Sequence, residues 1–333
     1  MIDLRRLQGR KVLVTGAGGF IGSHLVEAAV AAGCEVRALV KYNSRGFWGH
    51  LETVAPEVLS SVDVMLGDIR DPRVVEKAMD GREVVFHLAA LIGIPYSYHA
   101  AQSYIETNVL GTLNVLQAAL DSGVSRFLQT STSEVYGSAQ YVPMDESHPL
   151  RPQSPYAASK VGADQLALSF FLSFDLPVTV VRPFNAFGPR QSARAIIPTI
   201  VSQALVGDRI TLGSLDPIRD LTYVKDVARA FLHAAVAPDI GGDVINLGTG
   251  EGVSVQELVD HVGQILGKAI QVDQSQDRVR PVNSEVVRLI SNPARAAEKL
   301  GWKYEVSLDG GLKKTVEWIR NNADYYKPQL YAI

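Results

Sequence analysis

The segment KVLVTGAGGFIGSHL (11–25) limits what this chain can fold into more than any other stretch. A short apolar run ends at Gly16, and Gly19 and Gly22 follow before apolar residues recur at helical spacing. Glycine permits a tight turn, a close approach of the backbone to a diphosphate and close packing of a helix on a strand. The segment therefore predicts a strand, a dinucleotide-binding loop and a helix. The predicted contacts to the dinucleotide are Gly16, Gly19, Phe20, Ile21 and Gly22.

The rest of the first half alternates between strand and helix patterns. Apolar, β-rich runs occur at 34–40, 63–68, 83–90, 125–132 and 177–183, with helical patterns between most of them. Such alternation predicts an α/β fold built on a Rossmann-type doubly wound parallel sheet flanked by helices.

Past Pro183 the alternation weakens. Helical patterns at 223–236 and 256–267 lie on either side of one further strand pattern at 243–250. We interpret the second half as a smaller C-terminal α/β lobe that binds substrate and interleaves with the first domain. The predicted dinucleotide domain spans 1–185, with 220–248 returning to it, and the predicted substrate lobe spans 186–219 and 249–333.

Charge and cysteine content exclude several classes of protein. The 333 residues carry a net charge of −3 and contain no basic run interleaved with aromatic residues, which argues against a nucleic-acid partner. Cys34 is the single cysteine, as is typical of a chain from the reducing cytoplasm. No apolar stretch reaches the ~20 residues of a membrane span, and no metal-ligating spacing of His or Cys occurs. We expect a cytoplasmic protein with neither a metal site nor a membrane partner.

The choice of dinucleotide depends on the end of the second strand pattern. An NAD site usually has an acidic residue there, which binds the ribose hydroxyls, but this chain has Val40 and Lys41. Lys41 or Arg45 is suited to a 2′-phosphate, which favours NADP, although either is equally a solvated surface charge. Asp68, after the third strand pattern, is a candidate adenine contact or a cap of the next helix.

A second set of candidate residues lies in TSTSEVYG (130–137) and SPYAASK (154–160). Tyr156 and Lys160 are four residues apart, so they share one face of a helix. We expect the Lys160 ammonium to lower the pKa of the Tyr156 phenol, which then transfers the proton of a sugar hydroxyl. Thr132 is placed to hydrogen-bond the same hydroxyl. This site should lie at the carboxyl edge of the sheet.

Together these motifs resemble the extended short-chain dehydrogenase/reductase family, in its nucleotide-sugar epimerase/dehydratase group. The resemblance covers nearly the whole chain, through GAGGFIG, GDIRD, HLAA, STSEVYG, PYAASK, RPFNAFGPR, RDLTYVKDVA and NLGTG. It implies a tightly held nicotinamide cofactor, a nucleoside-diphosphate sugar substrate and a homodimer formed through helices at 100–120 and 156–174. The further cofactor contacts that it implies are Lys41, Asp68, Ile69, Leu88, Ala89, Ala90, Asn108, Thr130, Tyr156 and Lys160.

The triplet Thr132-Ser133-Glu134 bears on the reaction within this family. In the family's hexose 4,6-dehydratases a carboxylate at the Glu134 position removes the C5 proton, whereas simple C4 epimerases generally lack it. Many dehydratases have an aspartate acid where this chain has Ser133, and UDP-glucuronate decarboxylases carry a similar triplet, so those alternatives stay open. The flanking sequences are similar to the 4,6-dehydratases of the legionaminic acid pathway, which act on nucleotide-linked N-acetylglucosamine. The resemblance therefore implies a 4,6-dehydratase of a UDP- or GDP-linked sugar of that kind.

Candidate substrate contacts follow from charge and from the family pattern. A planar guanidinium suits a diphosphate because it donates two parallel hydrogen bonds. The candidates lie in loops after the strand patterns, and they are Asn185, Arg190, Arg194, Arg219 and Arg280.

Overall fold

The protein is described by a computed structural model that covers residues 2–279 and 281–328. The strands are β1 (Lys11–Thr15), β2 (Glu35–Lys41), β3 (Asp63–Gly67), β4 (Val84–His87), β5 (Arg126–Thr130), β6 (Val178–Pro183), β7 (Asn185–Phe187), β8 (Arg209–Leu212), β9 (Ile218–Arg219), β10 (Leu221–Tyr223), β11 (Val244–Leu247), β12 (Val253–Ser254), β13 (Gln271–Gln274) and β14 (Arg288–Leu289). The α-helices are α1 (Phe20–Ala31), α2 (Pro56–Leu59), α3 (Pro72–Met79), α4 (Ile94–His99), α5 (Ala101–Tyr104), α6 (Gly111–Asp121), α7 (Pro155–Phe174), α8 (Ile196–Val206), α9 (Val224–Val236), α10 (Val255–Leu266), α11 (Ala294–Leu300) and α12 (Leu308–Asn321).

A seven-stranded sheet organises the fold, in the order β11-β6-β5-β4-β1-β2-β3, with every neighbouring pair parallel. This arrangement confirms the predicted Rossmann-type sheet. The chain winds outward from β1 through β2 to β3, then returns to add β4 on the other side of β1. Such a reversal opens a crevice at the carboxyl ends of the two central strands, where open α/β sheets bind ligands.

Helices cover both faces of this sheet, which explains why its strands are largely apolar. Val12 and Val14 of β1 belong to one buried core with residues of α1 and α9, whereas Leu13 belongs to a second core with residues of α3, α6 and α7. Successive side chains of a strand point to opposite faces, so β1 is buried on both. The sheet is therefore a rigid platform for the residues at its edge.

A third core lies beside the sheet's carboxyl edge. It packs α8, α10 and α12 around Phe187, Ile200 and Leu258. Two-stranded ladders, β7 with β10 and β8 with β13, extend this part of the chain. The separate core agrees with a second lobe, although the domain boundaries drawn from the sequence stay a prediction.

The structure also bears on the membrane and metal expectations. No helix among residues 2–279 and 281–328 is long and apolar enough to cross a membrane. Within the same described residues, no group of three or more His, Cys, Asp or Glu side chains is arranged to hold a metal ion.

Candidate active site

The glycine loop joins β1 to α1 at the centre of the crevice. Gly16 has φ +70°, and a Cβ on it would lie 2.8 Å from the Ala89 main-chain nitrogen; on Gly22 a Cβ would lie 2.2 Å from the Gly16 oxygen. Only glycine fits both positions. α1 begins after Gly19, and no side chain caps its first turn. The bare, positively polarised helix end therefore fits a dinucleotide diphosphate.

A segment after β2 covers this loop, and sequence reasoning missed this contact. The His50 nitrogen donates to the Gly18 oxygen at 2.9 Å, and a Cβ on Gly18 would lie 2.5 Å from the Trp48 oxygen. The close backbone contact fixes the outer wall of the glycine loop.

Hydrogen bonds hold the end of β4 against the loop. The Thr15 hydroxyl bonds His87 Nδ1 at 2.8 Å and accepts from the Leu88 and Ala89 nitrogens at 3.1 Å each. Burial, with a smaller effect of Lys160, lowers the pKa of His87 to about 3. His87 is therefore a neutral structural residue that orients the predicted cofactor contacts at 88–90.

Asn108 connects three segments around the crevice. Its oxygen accepts from the Leu91 nitrogen at 2.8 Å, and its nitrogen donates to the Leu91 oxygen and the Ser159 hydroxyl at 2.9 Å each. It lies in a π-helical turn, Ile105–Leu110, between α5 and α6. Such turns are frequent at functional sites, because the extra residue redirects a side chain.

The end of the crevice predicted to hold the adenosine is more open. Lys41 and Arg45 are both exposed. Asp68 pairs with Arg70 at 2.7 Å, and the hydrogen bonds from Arg70 lower the pKa of that carboxyl. Asp71, and not Asp68, caps α3, so the capping alternative for Asp68 is wrong. Its contact with adenine stays a prediction, as does that of the neighbouring buried Ile69.

Tyr156 and Lys160 lie on the buried face of α7, which begins at Pro155 with Ser154 as its cap. Their exposed fractions are 7% and 5%. Lys160 Nζ donates to the Thr130 main-chain oxygen, and burial lowers the pKa of Lys160 to about 8. The ammonium is thus fixed at the carboxyl end of β5.

Burial raises the pKa of Tyr156, in contrast to the lowering expected from Lys160. The Thr132 hydroxyl opposes this rise, while the charge of Glu134 adds to it. The reason is that the phenol is buried and lies near the carboxylate of Glu134, and both effects oppose its ionisation.

The predicted triplet meets Tyr156 at this edge. Thr132 is extended, and its hydroxyl accepts from the Glu134 nitrogen at 3.2 Å. A turn of 3-10 helix, Ser133–Tyr136, then carries Glu134, which is half-buried, while Ser133 is almost fully buried. Thr132 and Glu134 therefore lie beside Tyr156, and the catalytic roles assigned to them stay predictions.

Sequence reasoning missed Tyr104. Its ring packs edge-on against Tyr156, with centroids 6.2 Å apart, and its hydroxyl donates to the Gly93 oxygen at 2.5 Å. Arg194, an exposed residue after β7, lies against Gly93 and lowers the pKa of Tyr104 against the larger effect of burial. Arg194 therefore lies at the rim of the site. No spacing rule links residue 104 to residue 156, so only the fold could reveal this contact.

Arg190 is engaged inside the protein. Only 5% of it is exposed, and its two terminal nitrogens bond the Glu27 carboxylate at 2.6 and 3.0 Å. Burial alone would raise the pKa of Glu27, but His24 and Arg190 lower it to about 2. The structure gives Arg190 a packing role between its loop and α1, and we leave it out of the substrate contacts proposed below.

The other predicted substrate residues lie near the sheet's carboxyl edge. Asn185 opens β7, and its buried side-chain oxygen has no partner among the described residues. Arg219 lies on β9 and forms an ion pair with Glu285 at 3.4 Å. Arg280 lies outside the described residues.

Comparison with known proteins agrees with this architecture. The family described as GDP-mannose 4,6 dehydratase matches residues 13–315. The chain is 34% identical to a dTDP-glucose 4,6-dehydratase of Actinoplanes (95% of this chain, 99% of the relative) and 34% identical to a UDP-glucose 4-epimerase of Mycolicibacterium smegmatis (94% and 99%). Among solved structures, the dTDP-glucose 4,6-dehydratase DesIV of Streptomyces venezuelae, with NAD and TYD bound, is similar, with a TM-score of 0.85 and 31% identity over 96% of this chain and 99% of that one.

By its fold and its site, the chain is a Rossmann-fold enzyme. Within that class it belongs to the extended short-chain dehydrogenase/reductase family of nucleotide-sugar dehydratases and epimerases.

Proposed function

We propose that the protein is a nucleotide-sugar 4,6-dehydratase, which converts a nucleoside-diphosphate hexose to its 4-keto-6-deoxy derivative. The observation that carries this proposal is the position of Glu134 beside Tyr156 and Thr132. Once C4 is a ketone, the C5 proton becomes acidic, and a carboxylate at this position can remove it. The names of several relatives, 4,6-dehydratases among them, support the same reaction.

The chain's own residues divide the proton transfers. Tyr156 takes the proton of the C4 hydroxyl, and Thr132 holds that hydroxyl by a hydrogen bond. Lys160 supplies a nearby positive charge at neutral pH. When bound, NAD supplies the acceptor for the C4 hydride and the donor for its return to C6.

Glu134 has two tasks in this scheme. It removes the C5 proton as a carboxylate, and the resulting acid gives the proton to the departing C6 hydroxyl, which leaves as water. When hydride reaches C6, C5 takes up one proton from solvent, and Tyr156 releases to solvent the proton that it took from the C4 hydroxyl. Ser133 is almost fully buried, so we assign it no proton transfer. Glu134 thus acts as both the base and the acid, two roles that many dehydratases of the family assign to two different residues.

We propose NAD as the cofactor. Two similar solved structures support this choice, because DesIV and MoeE5 were both solved with NAD bound. The exposed Lys41 and Arg45 are the reason to test NADP as the alternative. Release of the cofactor from purified protein by denaturation, followed by chromatography, distinguishes the two.

For the substrate we propose UDP- or GDP-linked N-acetylglucosamine, with Asn185, Arg194, Arg219 and Arg280 as its contacts. The side-chain oxygen of Asn185, which has no hydrogen-bond partner in the described part of the chain, supports a polar ligand at β7. The flanking sequences described above support the N-acetyl sugar.

We also propose a homodimer formed through 100–120 and 156–174, where Ile105, Leu110, Leu172 and Phe174 are exposed apolar residues. Sedimentation velocity tests the dimer.

Two other reactions have support from individual relatives. A C4 epimerase is supported by the UDP-glucose 4-epimerase of Mycolicibacterium smegmatis. A decarboxylase that acts on UDP-glucuronate is the other alternative, and MoeE5 has been solved with UDP-glucuronic acid.

Mass spectrometry of the products separates these reactions. The protein is incubated in turn with UDP-N-acetylglucosamine, its GDP-linked counterpart and UDP-glucuronate. A dehydratase gives loss of one water and a ketone that borodeuteride reduces, an epimerase gives an isomer of unchanged mass, and a decarboxylase gives loss of carbon dioxide.

Glu134→Gln gives a second test with the same substrates. Oxidation at C4 should proceed, so that the absorbance of reduced nicotinamide rises, but no water should be lost. If this variant makes 6-deoxy product at the wild-type rate, Glu134 is not the C5 base.

A further inference from the structure

We propose that Asp164 is a positioning residue for the reaction, which holds the end of β5 and sets the charge environment of Tyr156 and Lys160. This inference rests on the proposed function, because it concerns the same two side chains. Asp164 does not touch the reacting atoms, and its effect passes through Ser131 and Lys160.

Asp164 lies one turn after Lys160 on α7 and is completely buried, with an exposed fraction of 0%. Its Oδ2 accepts from the Ser131 hydroxyl at 2.6 Å and from Arg182 Nη2 and Nε at 3.1 and 3.3 Å. Its Oδ1 is buried and has no hydrogen-bond partner among the described residues. One carboxylate thus ties α7 to both β5 and β6.

The hydroxyl that donates to Asp164 belongs to Ser131, directly after β5. Ser131 lies between Thr130, whose main-chain oxygen accepts from Lys160, and Thr132, whose side chain meets Tyr156. The Ser131 nitrogen is fixed to the Val181 oxygen at 2.7 Å. Movement of the Ser131 side chain would therefore displace both the Lys160 acceptor and the Thr132 hydroxyl.

Arg182 extends the same network to the turn that carries Glu134. Its Nη1 donates to the Tyr136 hydroxyl at 3.0 Å, and that hydroxyl donates to Asn246 Oδ1 at 2.7 Å. The guanidinium also lies 5.0 Å from the centre of the Tyr136 ring. A contribution to stability does not explain the buried ion pair of Asp164 and Arg182, because burial of two charges costs about as much free energy as their attraction returns.

The charge of Asp164 acts on both predicted catalytic groups in the same direction. It raises the pKa of Lys160 against the larger lowering by burial, and it adds to the burial that raises the pKa of Tyr156. The other groups facing this pair are the neutral His87 on β4, and Glu134 and Tyr104 beside the phenol. Removal of the Asp164 charge should therefore lower the pKa of both residues.

The test is Asp164→Asn, which keeps the size and the acceptor oxygen but removes the charge. The basic limb of the pH profile of kcat/KM, which the ionisation of Lys160 sets, should move to lower pH by roughly one unit, because a nearby charge shifts a pKa by about that much or more. The matched control is Asp226→Asn, a second buried aspartate paired with arginine, at 2.9 Å from Arg229 on α9 and bonded to the 305–306 main chain. It should lower the melting temperature and leave the basic limb in place.

A second measurement is independent of the substrate. The protein is labelled at Cε of lysine, and the NMR resonance of Lys160 is assigned by its loss in Lys160→Met. This resonance should titrate at lower pH in Asp164→Asn than in wild type. An unchanged Lys160 titration, or a pH profile that loses height without moving, would overturn the proposal. Failure of the proposed function is distinct, since it would appear as inactive wild type with the NMR shift intact.

Discussion

The side chain of Lys160 donates its hydrogen bond to the main-chain oxygen of Thr130, at 2.5 Å, from a position one turn after Tyr156 on α7. The contact joins the helix that carries the phenol to the strand that ends in the Thr132 hydroxyl. It also keeps an ammonium in a dry site, where burial lowers its pKa to about 8.

Activity should therefore fall as the pH rises through about 8, because Lys160 loses its proton there. The sign follows from the required form: the proposed mechanism needs a positive charge near Tyr156, and Lys160 carries that charge only below its pKa. The measurement is kcat/KM against pH for wild type and Lys160→Arg. Arginine stays charged, so the basic limb of that variant should move to higher pH. If the basic limbs of wild type and Lys160→Arg coincide, a group other than Lys160 is responsible for the loss of activity.

Tyr156→Phe should reduce turnover at least ~100-fold, since general acid–base catalysis contributes about that much or more. The ring packs against Tyr104 and has no need of its hydroxyl for this contact, so folding and cofactor content should be unchanged. Turnover and bound nicotinamide are measured on the same preparation. Tyr104→Phe is the control, and it should retain most activity because it loses only the bond to Gly93. A Tyr156→Phe enzyme with normal turnover would contradict the proposed mechanism.

Gly16→Ala should abolish dinucleotide binding. The left-handed φ of +70° strains alanine, and its Cβ would lie 2.8 Å from the Ala89 nitrogen. Gly81→Ala is a matched control, because Gly81 has φ +68° but no atom within 4 Å of the added Cβ. Calorimetric titration with NAD measures the effect. Equal losses of affinity in both variants would mean that backbone strain, and not the clash in the loop, is responsible.

The fold and the local parts of the site could be read from the sequence. The glycine loop and the pair Tyr156–Lys160 depend on spacings within one segment, which periodicity reveals directly. The raised pKa of Tyr156 could not be predicted from the sequence, because the burial of its phenol and the nearness of Glu134 depend on how separate strands and helices pack. Arg190 shows the same limit: a free guanidinium after a strand predicts a phosphate contact, but Glu27, 163 residues away, engages it.

The carboxylate of Glu27, which His24 and Arg190 both hold, should contribute measurably to stability. The pKa of Glu27 falls from an ordinary 4.5 to about 2, which corresponds to about 3 kcal/mol of free energy. Because the folded-state pKa is depressed, this contribution is present above pH 4.5 and is lost as the pH falls through about 2. Glu27→Gln should therefore lower the free energy of unfolding by roughly 2–4 kcal/mol at pH 7 and by much less near pH 3.

Urea unfolding at the two pH values measures the difference. Glu52→Gln, which removes a nearby carboxylate charge but keeps a side-chain oxygen that can accept from the Trp48 nitrogen, is the control. If Glu27→Gln is no less stable than wild type at pH 7, Arg190 does not need this partner, and a role in binding the substrate diphosphate becomes the better account of its guanidinium.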